Sequence, residues 1–323
     1  MSSRPLSSLS LSTPTLALLT RAGYATVQDL QTVSAQALAQ DARISLTEAE
    51  IILSSCQRPN FSQSLAQPSL TQSAASMAND GGRLSTKCPG IDELLSGGLA
   101  RGQVLEISGP PGSPKEAVAM DIATSFVEAG HEVIFVDSQN MTSPATLDKV
   151  LNTSTRLPPN YSRLVYHSSI QTLLDLMVFI HNLPKLLDSY PKVTLLVLNS
   201  ISFPFQCSHN LNIPARTALL GKIKQALTVV SATRNVTVVT TSQLSTKILN
   251  ADGSSGSFDT GAKGVMVPQL GAAYLPGRAY RIILAAEGPT SGSARLISSP
   301  GDPQGTGPLR LKPYEVTRDG KMR

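Results

Sequence analysis

Residues 109–116 read GPPGSPKE. They follow QVLEIS (103–108), an apolar run with strand character, and precede a helical pattern from about 114 to 129. A strand, a glycine loop and a helix in that order form the setting of a phosphate-binding loop, whose pattern is G-x-x-x-x-G-K-[ST]. Gly109, Gly112 and Lys115 suit that pattern. Pro110 and Pro111 occupy variable positions. Pro114 stands where the second glycine belongs and supplies no backbone N–H. Glu116 stands where a metal-binding hydroxyl belongs. The same residues read equally well as an ordinary helix start, with Ser113 as cap, Pro114 in the first helical position and Glu116 as the capping-box partner.

Outward from this loop, strands and helices alternate. Strands are expected at 132–138, 163–169, 193–200 and 236–242. Helices are expected at 144–151, 172–188 (interrupted near Pro184) and 214–232. Residues 279–287 and 294–299 read as edge strands joined in a hairpin through GPTSG. Apolar strands alternating with helices predict an α/β fold with a mostly parallel sheet covered on both faces.

Upstream, residues 5–57 carry four short stretches with apolar residues at helical spacing. The sequence thus predicts a small helical N-terminal domain (1–57), a Ser-, Gln- and Pro-rich flexible linker (58–82) and an α/β core (83–323). Phe61, the one large apolar residue early in the linker, suits packing on its own domain or anchoring to a neighbouring subunit's sheet edge.

Composition narrows the function. The 323 residues include 41% hydrophobic and 15% charged residues and no Trp. Cys56, Cys88 and Cys207 form no C-x-x-C pair, so no metal site is expected and a reducing compartment fits. No run reaches the ~18 apolar residues of a membrane span, and the N-terminus does not read as a secretory signal, so an intracellular protein with no membrane partner is expected. His131, His167, His181 and His209 are scattered and build no catalytic constellation. Net charge is +5. Residues 1–57 hold three Arg against four acids, while 278–323 hold eight Lys and Arg against four acids. The basic excess therefore sits at the C-terminal end, which permits nucleic-acid contact without requiring it.

Residues 84–109, LSTKCPGIDELLSGGLARGQVLEISG, resemble the entrance to the ATPase core of RecA-type recombinases in their archaeal and eukaryotic branch. VTLLVLNSISFPFQ, VTVVTTSQLSTKI and VPQLGAAYLPGRAYRIIL continue in family order, so the resemblance covers nearly the whole chain. FPF and STKI resemble the C-type eukaryotic paralogue of the strand-exchange recombinase. The resemblance implies a RecA-like P-loop ATPase core, ATP with Mg²⁺, and homologous recombination and double-strand-break repair in the nucleus. It also implies other recombinase paralogues or the main recombinase as partners, and single-stranded or branched DNA within the complex.

Carried over by position, the resemblance assigns nucleotide contact to Gly109, Pro110, Pro111, Gly112, Ser113, Pro114, Lys115 and Glu116, and metal orientation to Asn199. The catalytic base position falls on Gln139 and the γ-phosphate sensor on Gln243. Glutamine accepts no proton from water, and Asn199 has no charge with which to orient a metal. No residue is therefore expected to be catalytic, and ATP binding is expected to be weak or lost. The DNA-facing loops correspond to 202–213, which has no Lys or Arg, and to 244–267, whose Lys247 and Lys263 are balanced by Asp252 and Asp259. The leading expectation is an adaptor or mediator in a paralogue complex with a degenerate ATP site. An active DNA-dependent ATPase subunit and an ATPase-fold regulator unrelated to repair remain as alternatives.

Overall fold

The computed structural model describes residues 6, 13–24, 26–31, 33–42, 44–57, 82–208, 211–250, 256–257, 263–317 and 320–323. Phe61, His209 and residues 58–81 of the expected linker lie outside them. The chain divides into two compact units, Met1–Gln72 and Ser73–Arg323.

In the first unit, helices α1 (Thr13–Arg21), α2 (Val27–Gln31), α3 (Ala35–Ala42) and α4 (Leu46–Gln57) surround a small core that includes Leu19, Leu30, Leu38 and Ile52. Two helix starts are closed by reciprocal bonds, as capping boxes require. Thr26 N donates to Asp29 Oδ2 (2.8 Å) and Asp29 N to Thr26 Oγ1 (3.4 Å). Ser45 N donates to Glu48 Oε2 (3.0 Å) and Glu48 N to Ser45 Oγ (3.2 Å). These bonds hold the Glu48 carboxyl below the usual range.

The second unit begins with α5 (Pro89–Leu94) and is built on β1 (Val104–Gly109), β2 (Glu132–Asp137), β3 (Val165–Ser169), β4 (Val193–Asn199), β5 (Thr237–Leu249), β6 (Lys263–Pro268), β7 (Tyr280–Ala286), β8 (Ser291–Ser298) and β9 (Arg310–Glu315). Among the described residues they form one nine-stranded sheet in the order β3-β2-β4-β5-β1-β7-β8-β9, with β6 paired to β5. Pairing is parallel from β3 through to β7 and antiparallel in β7-β8-β9 and β5-β6.

Alternation along each strand feeds two cores, since successive side chains point to opposite faces. Leu105, Ile107, Val133, Phe135, Leu195 and Val197 face α6 (Lys115–Glu128) and α7 (Pro144–Leu151). Val104, Ile134, Val136, Leu196 and Leu198 face α8 (Leu173–Ser189) and α10 (Ile213–Arg234). Between them, α9 (Phe203–Gln206) follows β4. Helices on both faces bury β1 and β4 completely. Among the described residues, no helix is long and apolar enough to cross a membrane.

Four local expectations change. β7 and β8 are interior strands, and the edge is β9, whose Pro313 disguised it, because a proline inside a run argues against a strand except at an edge. Helix α8 runs unbroken through Pro184, with Leu183 and Leu187 buried on either side of it. The stretch expected as a free loop at 244–267 is in part the β5–β6 hairpin, with Lys247 opposite Val265 and Leu249 opposite Lys263. Finally, Ser113 does not cap α6: Pro114 holds the cap position, with no side-chain cap bond.

Candidate functional site

β2, β4, β5 and β1 are neighbours in the sheet, and the carboxyl ends of β1, β2 and β4 lie level with the middle of β5. Asp137 is paired in register with Asn199, and Gln243 with Gly109. The loop, the base position, the metal position and the sensor position are thereby brought to one crevice outside the carboxyl ends of the strands. Open α/β sheets hold ligands at such a crevice. Two strand exits turn through left-handed residues, Asn140 (φ 55°) beyond β2 and Ser200 (φ 60°) after β4. Such conformations concentrate at functional sites.

The glycines of the loop are required where they stand. A Cβ on Gly109 would lie within 2.2 Å of Ser113 Oγ, and Gly112 has φ +81°. The loop then folds onto itself. Ser113 N donates to Pro110 O at 3.1 Å, and Lys115 Nζ donates to the same carbonyl at 3.1 Å. Lys115 is 1% exposed, and its ammonium lies 3.0 Å from Glu116 Oε1. A buried ammonium needs a countercharge and hydrogen-bond acceptors; here the adjacent glutamate and the loop carbonyl supply them. Pro114 O accepts from Val118 N at 3.0 Å, opening α6. Pro110 and Pro111 shape the loop ahead of this turn.

The metal position is also engaged. Asn199 Nδ2 donates to Asp137 Oδ1 (3.1 Å) and to Thr142 Oγ1 (3.2 Å). Asn199 Oδ1 accepts from Thr241 Oγ1 at 2.7 Å. Asp137 Oδ2 accepts from Thr142 N at 2.9 Å, and Thr241 Oγ1 accepts from Ser200 N at 2.6 Å. Asp137, Asn199 and Thr241 are fully buried. An amide carries both a donor and an acceptor, and this lattice uses both. Sequence reading missed Thr142 and Thr241; the polar pair Thr240–Thr241 inside an otherwise apolar buried strand was the available signal. His167 belongs to the scaffold here, with Nε2 2.8 Å from Thr142 O and its ring stacked on Phe135.

Gln139 and Gln243 reach the crevice by different supports. Gln139 N donates to Asp137 Oδ1 at 3.4 Å. Gln243 N donates to Ser202 Oγ at 3.0 Å, and its carbonyl accepts from Gln269 N at 2.9 Å. Ser113 Oγ, Ser200 Oγ, Gln139 Oε1 and Gln243 Oε1 are buried without a protein partner. The unmet groups of the site are thus two hydroxyls and two amide oxygens, all uncharged, while Lys115, Glu116 and Asp137 are already paired.

A second buried network stiffens the sheet beside the loop. Glu106 on β1 accepts from Ser242 Oγ (3.0 Å) and Tyr274 OH (2.8 Å), and pairs with Arg281 Nε at 2.7 Å. Burial pushes the Tyr274 phenol well above its usual range, and the Glu106 charge adds to the shift.

The DNA-loop counterparts lie beyond the same strand ends. In the first, α9 buries Pro204 and Phe205, and the Arg216 guanidinium lies 5.9 Å from the Phe205 ring centre. In the second, Lys247 is exposed on the β5–β6 hairpin, and Lys263 opens β6.

The sequence is similar to those of known proteins. The chain is 23% identical to the DNA repair protein RAD51 homolog 3 of Cricetulus griseus, a match covering 96% of this chain and 91% of that one. It is 26% identical to the DNA repair protein RAD51 homolog 3 of Dictyostelium discoideum over 62% of this chain, and spans 56% of that relative's length. It is 30% identical to the DNA repair and recombination protein RadB of Thermoplasma acidophilum, covering 50% of this chain and 67% of the relative. No protein-family model matches the chain.

Proposed function

The chain belongs to the RecA/RadA superfamily of recombinases, and from that premise we propose that it serves DNA repair by homologous recombination as a non-hydrolysing subunit. In this reading it is an adaptor or mediator in a nuclear complex with other recombinase-family proteins. Its ATPase fold provides the platform, and single-stranded or branched DNA is held by the complex as a whole.

RecA-family proteins generally use ATP and Mg²⁺, with a lysine on the phosphates, a hydroxyl and an acid toward the metal, and a positioned group activating water. The residues present here do not fit that group. Lys115 is held by Glu116 at 3.0 Å, Asn199 is spent on Asp137 at 3.1 Å, and Gln139 cannot accept a proton. Glu116 would set a second negative charge against any phosphate meeting Lys115. At ~4 Å and an effective dielectric of 20, such a contact costs about 4 kcal/mol. The loss of a general base alone is typically worth ~10²–10⁴ in rate.

The observation that carries this reading is the Lys115–Glu116 pair, which satisfies from within the charge that phosphate would otherwise satisfy. Affinity purification of the tagged full chain, followed by mass spectrometry, tests the adaptor role. Recombinase-family partners are the expected capture. Their absence would favour a regulator of ATPase fold outside recombination.

A further inference from the structure

Two of the eight cations of the C-terminal segment, Lys321 and Arg323, are held side by side at one place. After β9 the chain turns back on itself. Thr317 N donates to Lys321 O (2.9 Å), and Glu315 and Arg323 exchange both backbone hydrogen bonds (2.8 and 2.9 Å). Met322, between the two cations, is 2% exposed and joins the core beneath α6. Buried anchoring of Met322 and paired backbone on both sides fix Lys321 and Arg323 in position.

These two residues line a polar cleft of about 410 Å³ whose other cations are Lys87 and Arg156. The acids facing it are Asp121 and Glu128. Glu128 is engaged by Lys87 Nζ at 2.6 Å and by Ser154 Oγ. Burial pushes the Glu128 carboxyl up, but the Lys87 and Ser154 hydrogen bonds and the Lys87 and Arg156 charges outweigh it, leaving the carboxyl below its usual range. Lys321 Nζ donates to Thr153 Oγ1 at 3.3 Å. Arg156 makes no ion pair among the described residues. The side chains facing the cleft therefore carry four positive charges against two negative, with hydroxyls between them.

We propose that this cleft, at the far end of α6 from the loop, binds the phosphodiester backbone of a DNA strand. The choice of DNA rests on the recombination reading above. The placement rests on the cleft itself: guanidinium and ammonium donors beside hydroxyls are the groups that hold phosphate oxygens. A peptide partner would need apolar anchor pockets, whereas this cleft is lined mainly by polar residues. The hairpin and α9 segments, by contrast, carry no net charge between them.

The test is fluorescence anisotropy of the full chain with a labelled single-stranded oligonucleotide across a salt series. Arg156→Glu/Lys321→Glu is compared with Lys185→Glu/Lys222→Glu, an equal charge change on the exposed surfaces of α8 and α10. The cleft variant should weaken binding at low salt by roughly tenfold, with a salt slope shallower by about 1.4, the value for two phosphate contacts on a single strand. The control should lose much less. Equal losses in both variants, no loss in either, or no DNA binding by the wild-type chain would each overturn the cleft. So would poly-glutamate binding more tightly than DNA and only to the wild-type cleft, because that assigns the cleft to an acidic protein. Arg156→Gln/Lys321→Gln replaces the cleft variant if its melting temperature falls. Captured recombinase partners with DNA binding unmoved by the cleft variant would refute the cleft alone. Cleft-dependent DNA binding with no such partners would refute the adaptor alone.

Discussion

Lys115 is the residue at which two readings of one loop compete. A lysine presented to phosphate would be open to the crevice; this one is buried against Glu116 and the Pro110 carbonyl. Removing Glu116 leaves the buried ammonium with little water, so Glu116→Ala should cost about 2–3 kcal/mol, below the roughly 3–5 of a fully buried pair because Glu116 keeps some exposure. Lys115→Met should cost less, since the stranded Glu116 can turn toward solvent. The double variant Lys115→Met/Glu116→Ala should lose less than the sum of the two, by roughly 1 kcal/mol or more, as residues in contact do. Urea denaturation of the four proteins reads the cycle. Additive losses would mean that the pair does not hold the loop. The sequence made the departures at Pro114 and Glu116 visible. It also suggested a capping box that the structure does not contain, because Glu116 finds an ammonium one residue away and the Ser113 hydroxyl is turned toward Gly109.

At the level of elements, the ends of β2 and β4 are tied to the body of β5 by one buried amide. Asn199→Asp, which introduces an acid at this position, would set its carboxylate about where Nδ2 now lies, 3.1 Å from Asp137. Two buried carboxylates cannot both ionise cheaply, so the pair gains a proton with a raised apparent pKa. A folded-state pKa above the unfolded one stabilises below the unfolded value, about 4 for Asp, and loses that contribution as pH rises. The variant should therefore lie nearest the wild type close to pH 4 and fall about 3 kcal/mol short of it near pH 7, on the scale of an uncompensated buried charge. Melting curves across pH check the sign; a deficit that does not depend on pH would contradict it. Most of the parallel strands and the helices of both faces were legible because their apolar periods are long, although Pro184 suggested a break in α8 that the structure does not show. β9 was not, since Pro313 interrupts its run, and β6 was not, since KGVMVP is too short to separate from a loop without its partner strand. The Thr142–Asn199–Thr241 lattice was illegible for another reason: its members are 57 and 42 residues apart in sequence and meet only through strand order.

Across the whole molecule, charge and chemistry are separated. Lys115 in the glycine loop and Asn199 are engaged by partners within the chain, and Lys87, Arg156, Lys321 and Arg323 line a cleft at the opposite end of α6. That distribution suits a subunit that contributes surfaces to a recombination complex and leaves ATP turnover to others. The placement of the cations on one cleft could not be read from the sequence, because Lys87, Arg156 and Lys321 are brought together only by the return of the chain after β9. On this reading the Lys115 site does not turn over ATP. DNA-stimulated ATP hydrolysis by the purified protein, measured beside a Lys115→Ala variant, tests it most directly. Rates that are low and equal in the two proteins are the expected result; turnover by the wild type that disappears in Lys115→Ala would contradict it.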